Sequence, residues 1–195
     1  METVGILGGS FNPVHIGHMM VASYLVEWGY ADKVWLTLSP LNPLKEGSEL
    51  LPDIKRLQML SIAAKGAEKI DICDIELTMP RPSYTINTLD LLAERFPDTR
   101  FKLVIGSDNW RIFDQWREPQ RILDDYGVLV YVRPGYPVTD DGTAGMEIVH
   151  APMADLSSTM VREAIAKGRD MNYFLPAGVY QYILEHKLYQ RKERK

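Results

Sequence analysis

His15 and His18 share one short stretch with two adjacent glycines and a proline: Gly8-Gly9-Ser10-Phe11-Asn12-Pro13-Val14-His15-Ile16-Gly17-His18. The whole chain holds only four histidines. The stretch follows an apolar run, Val4 to Leu7, and precedes helical periodicity, so it reads as a strand-to-helix turn. Such turns bind phosphate, because backbone N–H groups and a helix N-terminus point at the anion. Gly8 and Gly9 let the backbone approach a ligand with no Cβ in the way, Ser10 offers a hydroxyl, and Pro13 fixes the path. Three apart at a helix start, the two imidazoles project to the same side. A His-x-x-His pair with no cysteine and no third ligand nearby is a poor metal site. The spacing better suits imidazoles that donate hydrogen bonds to phosphate oxygens. The plainer alternative is a tight turn with one capping and one packed histidine.

A second stretch, Leu156-Ser157-Ser158-Thr159-Met160-Val161-Arg162, carries related chemistry. Ser157, Ser158 and Thr159 are N-cap residue types, and Val161, Ala164 and Ile165 continue as one helix face. A hydroxyl-rich helix N-terminus holds anions, and Arg162 adds a permanently charged fork for phosphate oxygens. Read alone, the same residues make an ordinary capped helix with a solvated arginine.

The elements that must position these groups alternate. Strand-length apolar runs recur at 3–7, 33–38, 70–75, 101–105, 127–132 and 146–149. Helical stripes lie between most of them. Met20, Leu25 and Trp28 are expected to line one buried side, Ile54, Leu57, Leu60 and Ile62 or Ala64 a second, and Ile86, Leu89, Leu92, Ala93 and Phe96 a third. This alternation predicts βαβ crossovers: a Rossmann-like, doubly wound α/β domain whose mainly parallel sheet is covered by helices on both faces. Pro40–Pro52 and Arg133–Gly145 read as loops. No internal repeat or domain boundary appears, so 1–195 is expected to be one domain, with 189–195 a solvated basic tail.

Gly106 and Asp108 end a buried strand at its carboxyl edge, where open α/β sheets bind ligands. Lys45 sits on a proline-stiffened loop after another strand, and Arg133 directly follows 127–132. Thr85 stands where it could cap the strongest helix. A formal net charge of -4 leaves no basic surplus for holding a nucleic-acid backbone, so no nucleic-acid partner is expected. Cys73 is the single cysteine, which rules out an intrachain disulfide and favours a reducing compartment. With no signal-peptide pattern and no apolar run approaching the ~20 residues of a membrane span, a cytoplasmic protein with no membrane partner is expected.

The two motifs in this order resemble the signatures of the HxGH nucleotidyltransferases. Further stretches resemble the bacterial nicotinate-nucleotide adenylyltransferases: Asn42-Pro43-Leu44-Lys45, Pro82-Ser83-Tyr84-Thr85-Ile86-Asn87-Thr88-Leu89, and Gly106-Ser107-Asp108 followed by Trp116. Leu44 replaces a histidine of the family pattern, while Asn12 and Asn87 replace aspartates. The resemblance implies AMP transfer from ATP to nicotinate mononucleotide, with Mg²⁺ carried mainly by phosphate and water. By the same resemblance, His15, His18, Lys45 and Arg162 are catalytic. Gly8, Gly9, Ser10, Phe11, Gly106, Asp108 and Ser157 to Thr159 shape the ATP site together with His18 and Arg162. Asn12, Lys45, Thr85, Trp116 and Arg133 face the acceptor. Nicotinamide mononucleotide or phosphopantetheine are alternative acceptors, and an ATP-sensing module without turnover is an alternative from another class.

Overall fold

The computed structural model describes residues 1–40 and 50–190. Lys45 and Leu44 lie outside the described residues. Six strands form one parallel sheet: β1 (Glu2–Gly9), β2 (Lys33–Leu38), β3 (Ile70–Cys73), β4 (Thr99–Gly106), β5 (Val128–Tyr131) and β6 (Met146–Val149), in spatial order β3-β2-β1-β4-β5-β6. The six apolar runs thus match six strands. Their continuous apolar character has a simple cause, since a parallel sheet covered on both faces needs apolar residues on both.

One face carries α1 (Ile16–Glu27), α2 (Asp53–Ala63), α6 (Ser158–Ala166) and α7 (Val179–Glu185) over a core that includes Leu25, Leu36, Leu60, Leu129 and Val161. The other face carries α3 (Thr85–Arg95) and α5 (Pro119–Asp125), around Ile86, Leu89, Phe101 and Ile122. A single turn, α4 (Ser107–Trp110), follows β4 directly. Strand order reverses at β1, which pairs with β2 on one side and β4 on the other. The sheet therefore splits at the carboxyl ends of β1 and β4, where a ligand crevice belongs. Both motif turns lie there.

Three helical faces differ from expectation. Trp28 is 65 % exposed and stacks on Tyr24, while Val21, Ala22, Leu25 and Val26 form the buried side of α1. Ile54 is 59 % exposed; Leu60 is buried as expected, and α2 buries Arg56 and Met59 beside it. Phe96 is half-exposed beyond the end of α3, edge-on to Trp35. Trp28 and Phe96 stand at the C-caps of α1 and α3, and Ile54 lies on the opposite face of α2 from Arg56, Met59 and Leu60. The expected tail also begins too early, because Tyr189 is packed against the protein and its hydroxyl donates to Asn12 Oδ1 at 2.8 Å. Among the described residues, no helix is long and apolar enough to cross a membrane.

Candidate active site

Two cavities open side by side at the sheet's switch point. One, of about 230 Å³, is lined by Ser39, Glu76, Ser83, Thr85, Trp116 and Arg117 among others. The other, of about 270 Å³, is lined by His15, His18, Asp108, Arg133, Ser157 and Arg162 among others. Gly8, Gly9 and Ser10 belong to both linings, so the backbone leaving β1 is the shared floor. Apart from Gly8 and its two chain neighbours, no atom of the described residues lies within 4 Å of the position a Cβ on Gly8 would take, so a side chain there would project into the cleft. A Cβ on Gly106 would lie 2.4 Å from Asp108 Oδ1 and 2.6 Å from Arg133 Cδ. Glycine at that position is what lets those two side chains close over the end of β4.

The histidine pair is held by the start of α1. His15 is the N-cap in an extended conformation, and its backbone N–H donates to His18 Nδ1 at 3.1 Å. This is the returning half of a capping box, with imidazole in the place usually taken by a glutamate or glutamine side chain. Because Nδ1 accepts, the ring proton of His18 must sit on Nε2, leaving that atom as a donor. The two rings stack at 3.7 Å, and the buried Phe11 ring meets His18 edge-on at 5.0 Å. Phe11 itself has φ of 42°, a left-handed conformation uncommon for a bulky residue. The turn thus places an aromatic ring beneath the histidine at a cost in backbone strain.

His15 is buried, and burial followed by the Arg133 charge lowers its pKa from 6.5 to about 4. It is neutral at physiological pH. In the unfolded chain the same group titrates near its ordinary value, so between the two values only the unfolded state takes up the proton. Its contribution to stability is complete above pH 6.5 and is lost as pH falls towards 4. Urea unfolding between pH 6.5 and 5, above most carboxylate titrations, is expected to show falling stability that flattens in His15→Asn. Equal slopes for the two proteins would remove His15 from that window.

The second motif closes on the first. Ser157 caps α6, its Oγ accepting from Met160 N–H at 3.1 Å. Ser158 Oγ donates to the Pro13 carbonyl at 2.8 Å, and Arg162 donates to the Asn12 carbonyl at 2.8 Å and to Thr159 Oγ1 at 3.2 Å. The start of α6 is therefore bolted to the turn that bears the histidines, and its N-terminus faces the same cavity. Across that cavity Arg133 pairs with Asp108 Oδ2 at 3.0 Å, and Asp108 Oδ1 is buried with no hydrogen-bond partner among the described residues. Such an open acceptor suits a ligand hydroxyl or N–H.

In the neighbouring cavity Thr85 is the first residue of α3, not its cap; Tyr84 holds the N-cap position and no side chain caps the helix. Trp116 is half-buried, packed at 5.4 Å on Phe113, and its indole N–H has no partner among the described residues. Two residues grouped with Thr85 and Trp116 in the sequence do not line this cavity. Arg133 lines the histidine cavity, and Asn12 is 1 % exposed with its Oδ1 taken by Tyr189. Both follow from where β5 and β1 end.

Three residues that hold this site were not anticipated. Arg56 is fully buried and donates to the carbonyls of Ser10 (2.6 Å), Ser39 (3.0 Å) and Leu51 (3.0 Å) and to Asp53 Oδ1 (2.5 Å). Glu76 is buried and accepts from the hydroxyls of Ser39, Ser83 and Thr88 at 2.9–3.0 Å. Tyr189 is the third. A charged residue on an amphipathic helix and a tyrosine in a basic terminus carry no local signal of burial. Glu76 alone had a cue, since it follows a strand at the edge where the site forms.

A family model described as cytidylyltransferase-like matches residues 6–164. A Bacteroides thetaiotaomicron protein described as "probable nicotinate-nucleotide adenylyltransferase" is 45 % identical over 183 residues, covering 93 % of this chain and 91 % of that one. A Bacteroides fragilis protein of the same description is 44 % identical, covering 93 % and 90 %. In three dimensions, the Plasmodium falciparum nicotinic acid mononucleotide adenylyltransferase complexed with NaAD superposes with a TM-score of 0.78 at 20 % identity, over 97 % of this chain and 98 % of that one. With the two signature turns bolted together over one cleft, the chain belongs to the cytidylyltransferase-like family and, within it, to the nicotinate-nucleotide adenylyltransferases.

Proposed function

We propose that this protein transfers the adenylyl group of ATP to nicotinate mononucleotide, forming nicotinate adenine dinucleotide and pyrophosphate. One observation carries the reading: two cavities of unlike chemistry share the Gly8–Ser10 floor. A dinucleotide has that shape, two nucleosides joined through phosphates at the centre. ATP fits the histidine cavity, which offers His18, Arg162 and the α6 N-terminus to phosphate. The mononucleotide fits the other, where Trp116 offers an aromatic face and Thr85 opens α3.

The acceptor phosphate is already ionised at neutral pH, so no base is needed to activate it. One of its oxygens attacks the α-phosphorus of ATP in line, a new P–O bond forms, and the bond to the β-phosphate oxygen breaks. Pyrophosphate leaves with that electron pair. Catalysis of this kind is mainly alignment and charge stabilisation. His18 Nε2–H donates to the α-phosphate oxygens, the neutral His15 ring buttresses it by stacking, and Arg162 holds the β- and γ-phosphates. Lys45 screens the two anions from each other. Mg²⁺ arrives on the ATP phosphates. Among the described residues no group of three or more His, Cys, Asp or Glu side chains could hold a metal.

Pyrophosphate release from ATP, assayed against nicotinate mononucleotide, nicotinamide mononucleotide and phosphopantetheine, tests the assignment. Release is expected to be fastest with the nicotinate acceptor; ATP binding without release for any acceptor would make the protein a sensor. Trp116→Ala is expected to raise KM for the mononucleotide about tenfold, the order of one lost ring stack, with KM for ATP within twofold. A rise confined to ATP would exchange the two cavities.

A further inference from the structure

The acceptor cavity is lined by one arginine whose side chain makes no hydrogen bond among the described residues. Among its described lining residues only Glu76 and Arg117 are charged. Glu76 is a spent charge, its carboxylate engaged by three hydroxyls. Arg117 is the opposite case. Its guanidinium lies over the Tyr84 ring at 5.0 Å, and among the described residues it pairs only with Glu118, at 3.7 Å and outside hydrogen-bond distance. Glu118 is itself hydrogen-bonded by Arg121 at 3.3 Å. The buried Arg56 spends its donors on carbonyls and Asp53, and Arg162 and Arg133 each make side-chain hydrogen bonds. Arg117 makes none among the described residues, though a planar fork of five donors is built for a carboxylate.

Its position matters as much as its freedom. Trp116, the ring platform, is the preceding residue, and Tyr84, which Arg117 covers, immediately precedes Thr85 at the start of α3. The guanidinium therefore stands beside an uncapped helix N-terminus, with no acidic residue in that helix's first turn to neutralise it. Both features favour a negative group at the ring end of the acceptor. Stacking on Tyr84 holds the guanidinium in place, which lowers the entropy lost on binding.

We propose that Arg117 binds the carboxylate of the nicotinate ring and so sets the preference for nicotinate over nicotinamide mononucleotide. The proposal rests on the acceptor assignment above. A carboxamide is neutral and gains little from the guanidinium, so the two substrates report on Arg117 differentially.

The test is the ratio of kcat/KM for nicotinate over nicotinamide mononucleotide, measured with saturating ATP for the wild type, Arg117→Gln and Arg117→Lys. The ratio is expected to fall about tenfold in Arg117→Gln, a charge-assisted contact discounted for its half-exposed setting. The change should lie in KM for the nicotinate acceptor, and Arg117→Lys, which keeps the charge but loses the fork and the stacking, should recover only part of the ratio. Arg117 is about half exposed, so thermal unfolding should not move. A wild type that turns over neither mononucleotide, or both equally, overturns the acceptor assignment and this proposal with it. A selective wild type whose ratio persists in Arg117→Gln overturns the Arg117 proposal alone. So does an equal loss with both substrates, which marks a structural role.

Discussion

His18→Ala is expected to lower kcat about 100- to 1,000-fold, the cost of removing one aligned donor to a developing phosphate charge. KM for ATP should change far less, because the contact strengthens as the α-phosphorus is attacked. Alanine also deletes the acceptor for the His15 N–H and the ring beside Phe11. A lost cap of this kind costs about 1 kcal/mol, so stability alone does not separate the two roles. His18→Glu does. Glutamate is a usual partner at this capping-box position and keeps the His15 N–H satisfied, yet it turns a negative charge towards the transferred phosphate. The expected order of turnover is wild type, then His18→Ala, then His18→Glu, with unfolding of the glutamate variant closer to wild type than that of the alanine one. A glutamate variant faster than the alanine variant would place His18 in the cap only.

The fold was legible because parallel strands buried on both faces leave continuous apolar runs, and all six appear where the runs lie. The motif residues were legible for a different reason. Glycine pairs, clustered histidines and a Ser-Ser-Thr helix start are compositionally unusual, and the structure brings both stretches to one cleft through Ser158 to Pro13 and Arg162 to Asn12. Some members of the helical stripes were read poorly: Trp28 is the C-cap of α1 and Ile54 lies on the solvent side of α2, since hydropathy alone does not say which apolar positions face the core. What sequence could not supply was long-range polar satisfaction. Tyr189 and Asn12 lie 177 residues apart, and nothing local in a basic terminus marks its tyrosine as a partner of the active-site turn. Arg117 escaped for a related reason. Its meaning depends on which of its neighbours are already hydrogen-bonded.

Arg56 is the extreme case, and its loss is expected to be the largest single-residue effect on stability. Hydropathy reads it as a solvated position on α2, yet it is fully buried and joins the ends of β1 and β2 to the start of α2. Asp53, which it grips, also pairs with Arg81 at 2.7 Å, just before the Ser83 that holds Glu76. One guanidinium thus ties the turn shared by both cavities to the acceptor wall. Arg56→Met is the informative substitution, because methionine retains much of the side chain's length and keeps the cavity term small. What remains is the unsatisfied set: three carbonyls and one carboxylate oxygen lose a donor. Buried groups left that way cost about 1–3 kcal/mol each, and breaking a buried pair costs about 3–5 kcal/mol in all. In a chain of this size that is a fall in Tm of about 10 °C. Replacing a buried ion pair by apolar residues is sometimes neutral, but there both partners are exchanged. Here the carbonyls of Ser10 and Ser39 belong to the backbone and stay. An Arg56→Met protein melting with the wild type would show that water reaches those carbonyls. It would also mean that the floor of the cleft does not depend on the guanidinium beneath it.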